Sequence, residues 1–126
     1  MLRKINSWIK IRNNNYMHFL KILREYKKEF ILPLNLRKNI SSFVLPMIMK
    51  NYKNKKKLEV ILNRHGIESR PFIAGNLIKQ PFLSKYKNGQ FKNSDFIDKN
   101  CFYIGNNQFV GGGRLKKLAL IFKKFF

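Results

Sequence analysis

Few side chains in this sequence have the types and spacing that carry chemistry. His18 and His65 have no second ligand at useful spacing. His65 falls near the C-terminal end of a helical stretch, where carbonyl ends favour an imidazolium, so a capping or solvent role is read before metal binding. The single Cys101 excludes an internal disulfide framework and a multi-cysteine zinc site, and it makes a reducing, cytoplasmic compartment the default expectation. The six Asp and Glu residues are scattered rather than paired, and there is no HExxH, GxSxG or GxGxxG. Gly111-Gly112-Gly113 suggests a phosphate nest, but the Lys and Ser/Thr that complete a P-loop do not follow it. No catalytic residue and no metal ligand is therefore assigned.

The elements that would position a site are read from apolar periodicity. Leu2, Ile5, Ile9, Tyr16, Phe19, Leu20 and Leu23 form one stripe of a long helix reaching to about Glu29. Pro33 stops it, and Leu34 to Ile40 reads as a connection. Phe43, Leu45, Met47 and Met49 then alternate with Val44 and Ile48, as in a strand covered on at least one face. Pro46 lacks an amide donor and puts that strand at a sheet edge or a bulge. Lys53 to Lys57 reads as the solvated first turns of a helix that carries Leu58, Ile61 and Leu62, with Gly66 as its C-terminal cap. Ile67 to Ile73 is a short extended stretch, followed by turns at Ala74-Gly75-Asn76 and Gln80-Pro81. Ser94 is expected to N-cap a short helix, Cys101 to Ile104 reads as a strand closed by Gly105, and Leu115, Leu118, Ala119 and Phe122 form the apolar face of a terminal helix. The expected fold is α+β, a short, mostly antiparallel or mixed sheet with helices packed on one face.

A chain of 126 residues suits one small domain. Its 44% apolar content and 12 Phe argue against plain disorder. A net charge of +21 suits a small nucleic-acid-binding protein of ribosomal type, because Lys and Arg displace counterions from phosphates. Coding bias toward Lys, Asn, Ile and Phe explains the same charge, and composition leaves both readings open. Lys, Arg or Asn recurs too often for a membrane span, and the basic N-terminus lacks the apolar stretch and cleavage site of a secretory signal.

The run His65-Gly66-Ile67-Glu68-Ser69-Arg70-Pro71-Phe72-Ile73-Ala74-Gly75-Asn76-Leu77-Ile78-Lys79-Gln80-Pro81-Phe82 resembles the C-terminal signature of the DegT/DnrJ/EryC1/StrS sugar aminotransferase family. Within that family it is most similar to the branch of nucleotide-sugar 3-dehydratases, and Phe102-Tyr103-Ile104-Gly105-Asn106-Asn107 fits the same branch in the right order and spacing. The resemblance covers nearly the whole chain but only the last third of such an enzyme. Family members are fold-type I pyridoxal-phosphate proteins of roughly two to three times this length. Their large domain supplies the phosphate-binding loop, the Asp that pairs with the pyridine nitrogen, and the Schiff-base lysine or, in the dehydratase branch, a histidine base.

The resemblance thus implies the small C-terminal domain of a 3-dehydratase or aminotransferase acting on a 4-keto-6-deoxy sugar nucleotide in deoxysugar and lipopolysaccharide biosynthesis. It divides the chain into a long helix, 1–32, leading from a large domain, and a small α+β domain, 33–126. Such a chain is expected to be silent alone, to bind no pyridoxal phosphate by itself, and to need a large domain or second subunit as partner. Gly111-Gly112-Gly113 stands where the family usually has polar, often acidic residues. The segment's implied role is to cover the cofactor cleft. Arg70 then forks onto a carboxylate or phosphate, while Asn76 and Gln80 donate and accept near substrate. The structural alternatives are that Arg70 pairs with a carboxylate on the large domain and that Asn76, after Gly75, bonds its own backbone. Apolar faces around Ile5, Phe19, Phe43 and Met47 are expected to serve the large domain in part and to leave exposed patches.

Overall fold

The computed structural model describes residues 2–32, 40–86 and 89–126. The Pro33 stop and most of the 34–40 connection lie outside the described residues. A 3-10 turn over Leu2–Lys4 runs into α1 (Ile5–Glu25). Its second half buries Tyr16, Phe19, Leu20, Ile22 and Leu23. The helix ends before Glu29 because Tyr26 folds back. The amides of Glu29 and Phe30 both donate to the Tyr26 carbonyl, and this turn drops Phe30 into the core as the start of β1 (Phe30–Ile31).

The remaining elements are β2 (Val44–Met49), α2 (Tyr52–Arg64), β3 (Ser69–Pro71), 3-10 turns at Leu77–Lys79 and Pro81–Tyr86, α3 (Lys92–Asn100), β4 (Cys101–Gly105) and α4 (Gly112–Phe125). The sheet order is β1-β2-β4-β3, and every pairing is antiparallel. Leu45 pairs with Ile104, Met47 with Phe102 and Met49 with Phe30, which puts all six on one face. Leu20 and Leu23 of α1, Leu58 and Leu62 of α2, and Leu115, Leu118 and Phe122 of α4 belong to the same buried cluster. Helices therefore cover one face of the sheet, as the alternation implied. Pro46 stands opposite Tyr103, and β1 reaches only Ile48 and Met49. Beside Pro46 the strand is an edge among the described residues, as its missing donor requires.

Asn106, just past β4, is 1% exposed and ties three parts of the fold. Its Nδ2 donates to the Arg12 carbonyl at 3.1 Å and the Ser42 carbonyl at 2.8 Å, and its Oδ1 accepts from Asn15 Nδ2 at 3.1 Å. Asn15 also donates to the Val110 carbonyl.

Three expectations are corrected here. Phe19 and Met47 are fully buried inside the domain, whereas Ile5 and Phe43 are exposed, Phe43 at 65%. Lys55 is not solvated. It shares the inward stripe of Leu58 and Leu62, and its ammonium lies 3.6 Å from Glu59 Oε1, so its stem is buried while its charge is paired. Ser94 is not an N-cap, because α3 begins two residues earlier, after Phe91, and Ser94 lies inside the first turn. An anion at that turn, Asp95, is held by Asn76 and Lys79 and marks the start instead. By contrast Asn51 caps α2, accepting from the amides of Lys53 and Asn54. Gly66 follows α2 with φ of 71°, the left-handed conformation expected of its cap position.

Candidate functional site

The segment from His65 to Gln80 leaves α2, forms the sheet edge at β3 and then turns toward α3. Arg70 is the middle residue of β3, opposite Tyr103. Its Nε and Nη2 both donate to Glu68 Oε1 at 2.9 Å, on an exposed surface. Asn76 caps the first 3-10 turn. Its Oδ1 accepts from the Ile78 amide at 3.2 Å and its Nδ2 donates to Asp95 Oδ1 at 2.9 Å. Gln80 Nε2 donates to the Ala74 carbonyl at 2.9 Å. The structure therefore brings Asn76 and Gln80 together in one loop, with Arg70 on the strand before it. Asn76 and Gln80 make local contacts, whereas Arg70 pairs with Glu68 of this same domain and keeps an exposed guanidinium.

Lys79, Asp95 and Asp98 complete the loop and were not singled out in the sequence. Lys79 Nζ bridges Asp95 Oδ1 at 2.8 Å and Asp98 Oδ2 at 3.1 Å. The one legible signal was the i,i+3 spacing of Asp95 and Asp98, which puts both on one helix face. The Lys79 hydrogen bond, then that from Asn76, holds the Asp95 carboxyl below its ordinary pKa, and Lys79 is raised in return. Gly75 packs here with φ of 70°, and a Cβ on it would meet Asp98 Oδ1 at 2.6 Å. The loop is thus pinned to α3 by polar contacts while Phe82 and Tyr86 beyond it stay exposed.

His65 occupies the C-cap position of α2, and its carbonyl accepts from Lys117 Nζ at 2.6 Å. Among the described residues no group of three His, Cys, Asp or Glu could hold a metal ion. Cys101 is buried, and that burial pushes its thiol up to about 11 against the smaller pull of Lys55. Where β2 begins and β4 ends, a cavity of about 550 Å³ opens between the α2–β3 connection and the first turns of α4. Arg70, Tyr103, Arg114 and Lys117 are among its lining.

The family model of the DegT/DnrJ/EryC1/StrS aminotransferases matches residues 1–117. The chain is 31% identical over 114 residues to a GDP-4-keto-6-deoxy-D-mannose 3-dehydratase of Escherichia coli O55:H7, a match covering 85% of this chain and 29% of that enzyme. It is 26% identical to the lipopolysaccharide biosynthesis protein RfbH of Salmonella typhimurium, over 99% of this chain and 30% of that protein. A solved E. coli GDP-4-keto-6-deoxy-D-mannose 3-dehydratase with bound hydrated pyridoxal phosphate superposes with a TM-score of 0.79 at 27% identity, covering 95% of this chain and 32% of that one. The chain thus spans about a third of the length of these relatives.

Proposed function

The chain belongs to the DegT/DnrJ/EryC1/StrS aminotransferase family, and from that membership we propose that it is the small C-terminal domain of a pyridoxal-phosphate-dependent nucleotide-sugar 3-dehydratase or aminotransferase. Its substrate is a 4-keto-6-deoxy sugar nucleotide used in deoxysugar and lipopolysaccharide biosynthesis, and its site of action is cytoplasmic. The observation that carries this reading is the superposition of 95% of the chain on 32% of a dehydratase at a TM-score of 0.79. Among the described residues no helix is long and apolar enough to cross a membrane.

The residues present do not themselves fit the cofactor. Lys55, the buried lysine among the described residues, is held to Glu59, and Lys117 donates to a backbone carbonyl. The carboxylate beside the cavity, Glu68, is engaged by Arg70. In this reading the cofactor's holders belong to a large domain, carried by a separate chain or a second subunit. The small domain alone is catalytically silent and binds nucleic acid only through non-specific electrostatics. Arg70 presents its guanidinium to bound anion, while Asn76 and Gln80 shape the loop that closes over the cleft.

Co-expression with a large domain of this family tests the reading. Dehydration or transamination of a nucleotide 4-keto-6-deoxy sugar should appear only with both parts present. Arg70→Ala should lower it more than Lys56→Ala, because a forked guanidinium near bound anions has no equal in water. Equal effects would remove Arg70 from the site, and no activity with any large domain would overturn the reading.

A further inference from the structure

The first half of α1 overhangs the domain at the end where β2 begins and β4 ends. No residue from 3 to 14 is buried, whereas Asn15, Tyr16, Phe19 and Leu20 are. At the usual helical rise the stretch from Ile5 to Asn14 is about 15 Å long. Ile5, Trp8 and Ile9 share one face of it, both isoleucines exposed and the tryptophan half-buried. Two loops are tied to the root of this overhang. The Ser41 amide donates to Asn13 Oδ1, Asn106 joins the Arg12 and Ser42 carbonyls, and Asn15 donates to the Val110 carbonyl. Those loops carry Ile40, Phe43 and Phe109, and Phe109 is 75% exposed. Arg3, Lys4 and Lys10 stand exposed on the overhang, and no acidic residue precedes Glu25. None of these three cations is in an ion pair among the described residues.

We infer that this end of the domain docks on an anionic lipid surface, with the overhanging helix lying in the headgroup layer. Interfacial helices combine Lys and Arg on one side with Trp and aliphatic side chains on the other, and Trp settles at headgroup depth. Ile5 and Ile9 then enter the acyl boundary beside Phe43 and Phe109, while Arg3, Lys4 and Lys10 meet lipid phosphates. Charge complementarity selects this occupant. Interface cores between proteins are depleted of charge, so a protein partner needs a carboxylate placed against each cation. Anionic lipid offers negative charge at every position of its surface. The docking requires neither cofactor nor turnover. Failure to bind lipid would leave the proposed activity standing, and failed complementation would leave the docking standing.

Trp8 is the single tryptophan of the 126-residue chain, so its fluorescence reports on the docking end alone. The chain is titrated at physiological ionic strength with vesicles of mixed phosphatidylglycerol and phosphatidylcholine, and with pure phosphatidylcholine as the neutral control. Saturable cosedimentation with the mixed vesicles is expected, together with a blue shift of Trp8 emission and protection from acrylamide quenching. Neutral vesicles should bind at least about tenfold more weakly, since each Lys or Arg near an anionic surface contributes about fivefold. Ile5→Asn combined with Ile9→Asn keeps the charge and alters only exposed positions, so the variant should fold. It should weaken partitioning by about tenfold, the effect of losing two inserted aliphatic side chains. Val60→Asn combined with Leu120→Asn removes two exposed apolar side chains elsewhere, on α2 and α4, and should change nothing. Cosedimentation with unchanged Trp8 emission would reduce the binding to overall charge and overturn the inference, as would parental partitioning of the Ile5, Ile9 variant. A blue shift that grows with chain concentration in the absence of vesicles would make this end a contact between copies. One that appears only with a large domain of the family would make it a contact between domains, and either result overturns the lipid assignment.

Discussion

Removing the Asn106 side chain should cost the fold more than any exposed substitution, because three long-range contacts depend on it. Asn106→Ala deletes two donations, to the Arg12 and Ser42 carbonyls, and one acceptance from Asn15. At about 1 kcal/mol net for each bond, and more where a buried carbonyl is left unpaired, the loss is about 3–4 kcal/mol. Domains of this class have about 5–15 kcal/mol in total, so the variant should still fold in cold buffer. Urea unfolding followed by circular dichroism should show the midpoint falling by roughly 2 M with an unchanged slope. Asn106→Asp sharpens the test, since it keeps the shape but turns a donor into an acceptor facing two carbonyls. Burial against those oxygens raises the folded-state pKa of the new carboxyl above its unfolded value of about 4. The added penalty is therefore absent at pH below the unfolded pKa and grows as pH rises through and above it. At neutral pH the Asp variant should be less stable than the Ala variant, and it should recover toward it on acidification. An Ala variant within about 0.5 kcal/mol of the parent, or an Asp variant indifferent to pH, would refute the account of Asn106 as the tie between α1, β2 and β4.

Asn51→Ala should lower stability by about 1 kcal/mol, as for a lost N-cap, whereas Ser94→Ala should change the same unfolding midpoint by less than half of that. Cys101, with its thiol pushed up to about 11 by burial, should resist a thiol reagent at pH 8 in the native chain and react at once in denaturant; rapid native labelling would contradict its burial. Purified chain dialysed after incubation with pyridoxal phosphate should keep no visible absorption band, and a stoichiometric band would show that the small domain holds the cofactor without a large one.

Where apolar spacing alone decides structure, the sequence was readable. The alternation from Phe43 to Met49 marked β2 and its buried face, and Leu58, Leu62, Leu115 and Leu118 marked helices that pack on it. The end of α1 was not readable, because the Tyr26 turn substitutes one set of backbone bonds for another without a proline or glycine to announce it. Charge misled at Lys55, since a lysine run looks solvated whichever members face inward. Ser94 was misread because a good capping residue carries no information about whether the turn before it has already begun. In the loop, Asn76 and Gln80 were visible as polar side chains among turn residues, but the partner of Asn76 lies on α3 and only folding brings Asp95 to it.

Beyond the Asn76 loop, the stretch through α3 leaves Phe82 at 74% exposure, with Tyr86, Phe91, Phe96 and Ile97 also uncovered. Copies of the chain bearing such surfaces share a charge of +21, which repels them from one another. Its solubility accordingly depends on the range of that repulsion, which shrinks from about 30 Å in 0.01 M salt to about 8 Å at physiological strength. Salt, which protects many proteins from electrostatic self-repulsion, should here bring molecules close enough for their aromatic side chains to meet.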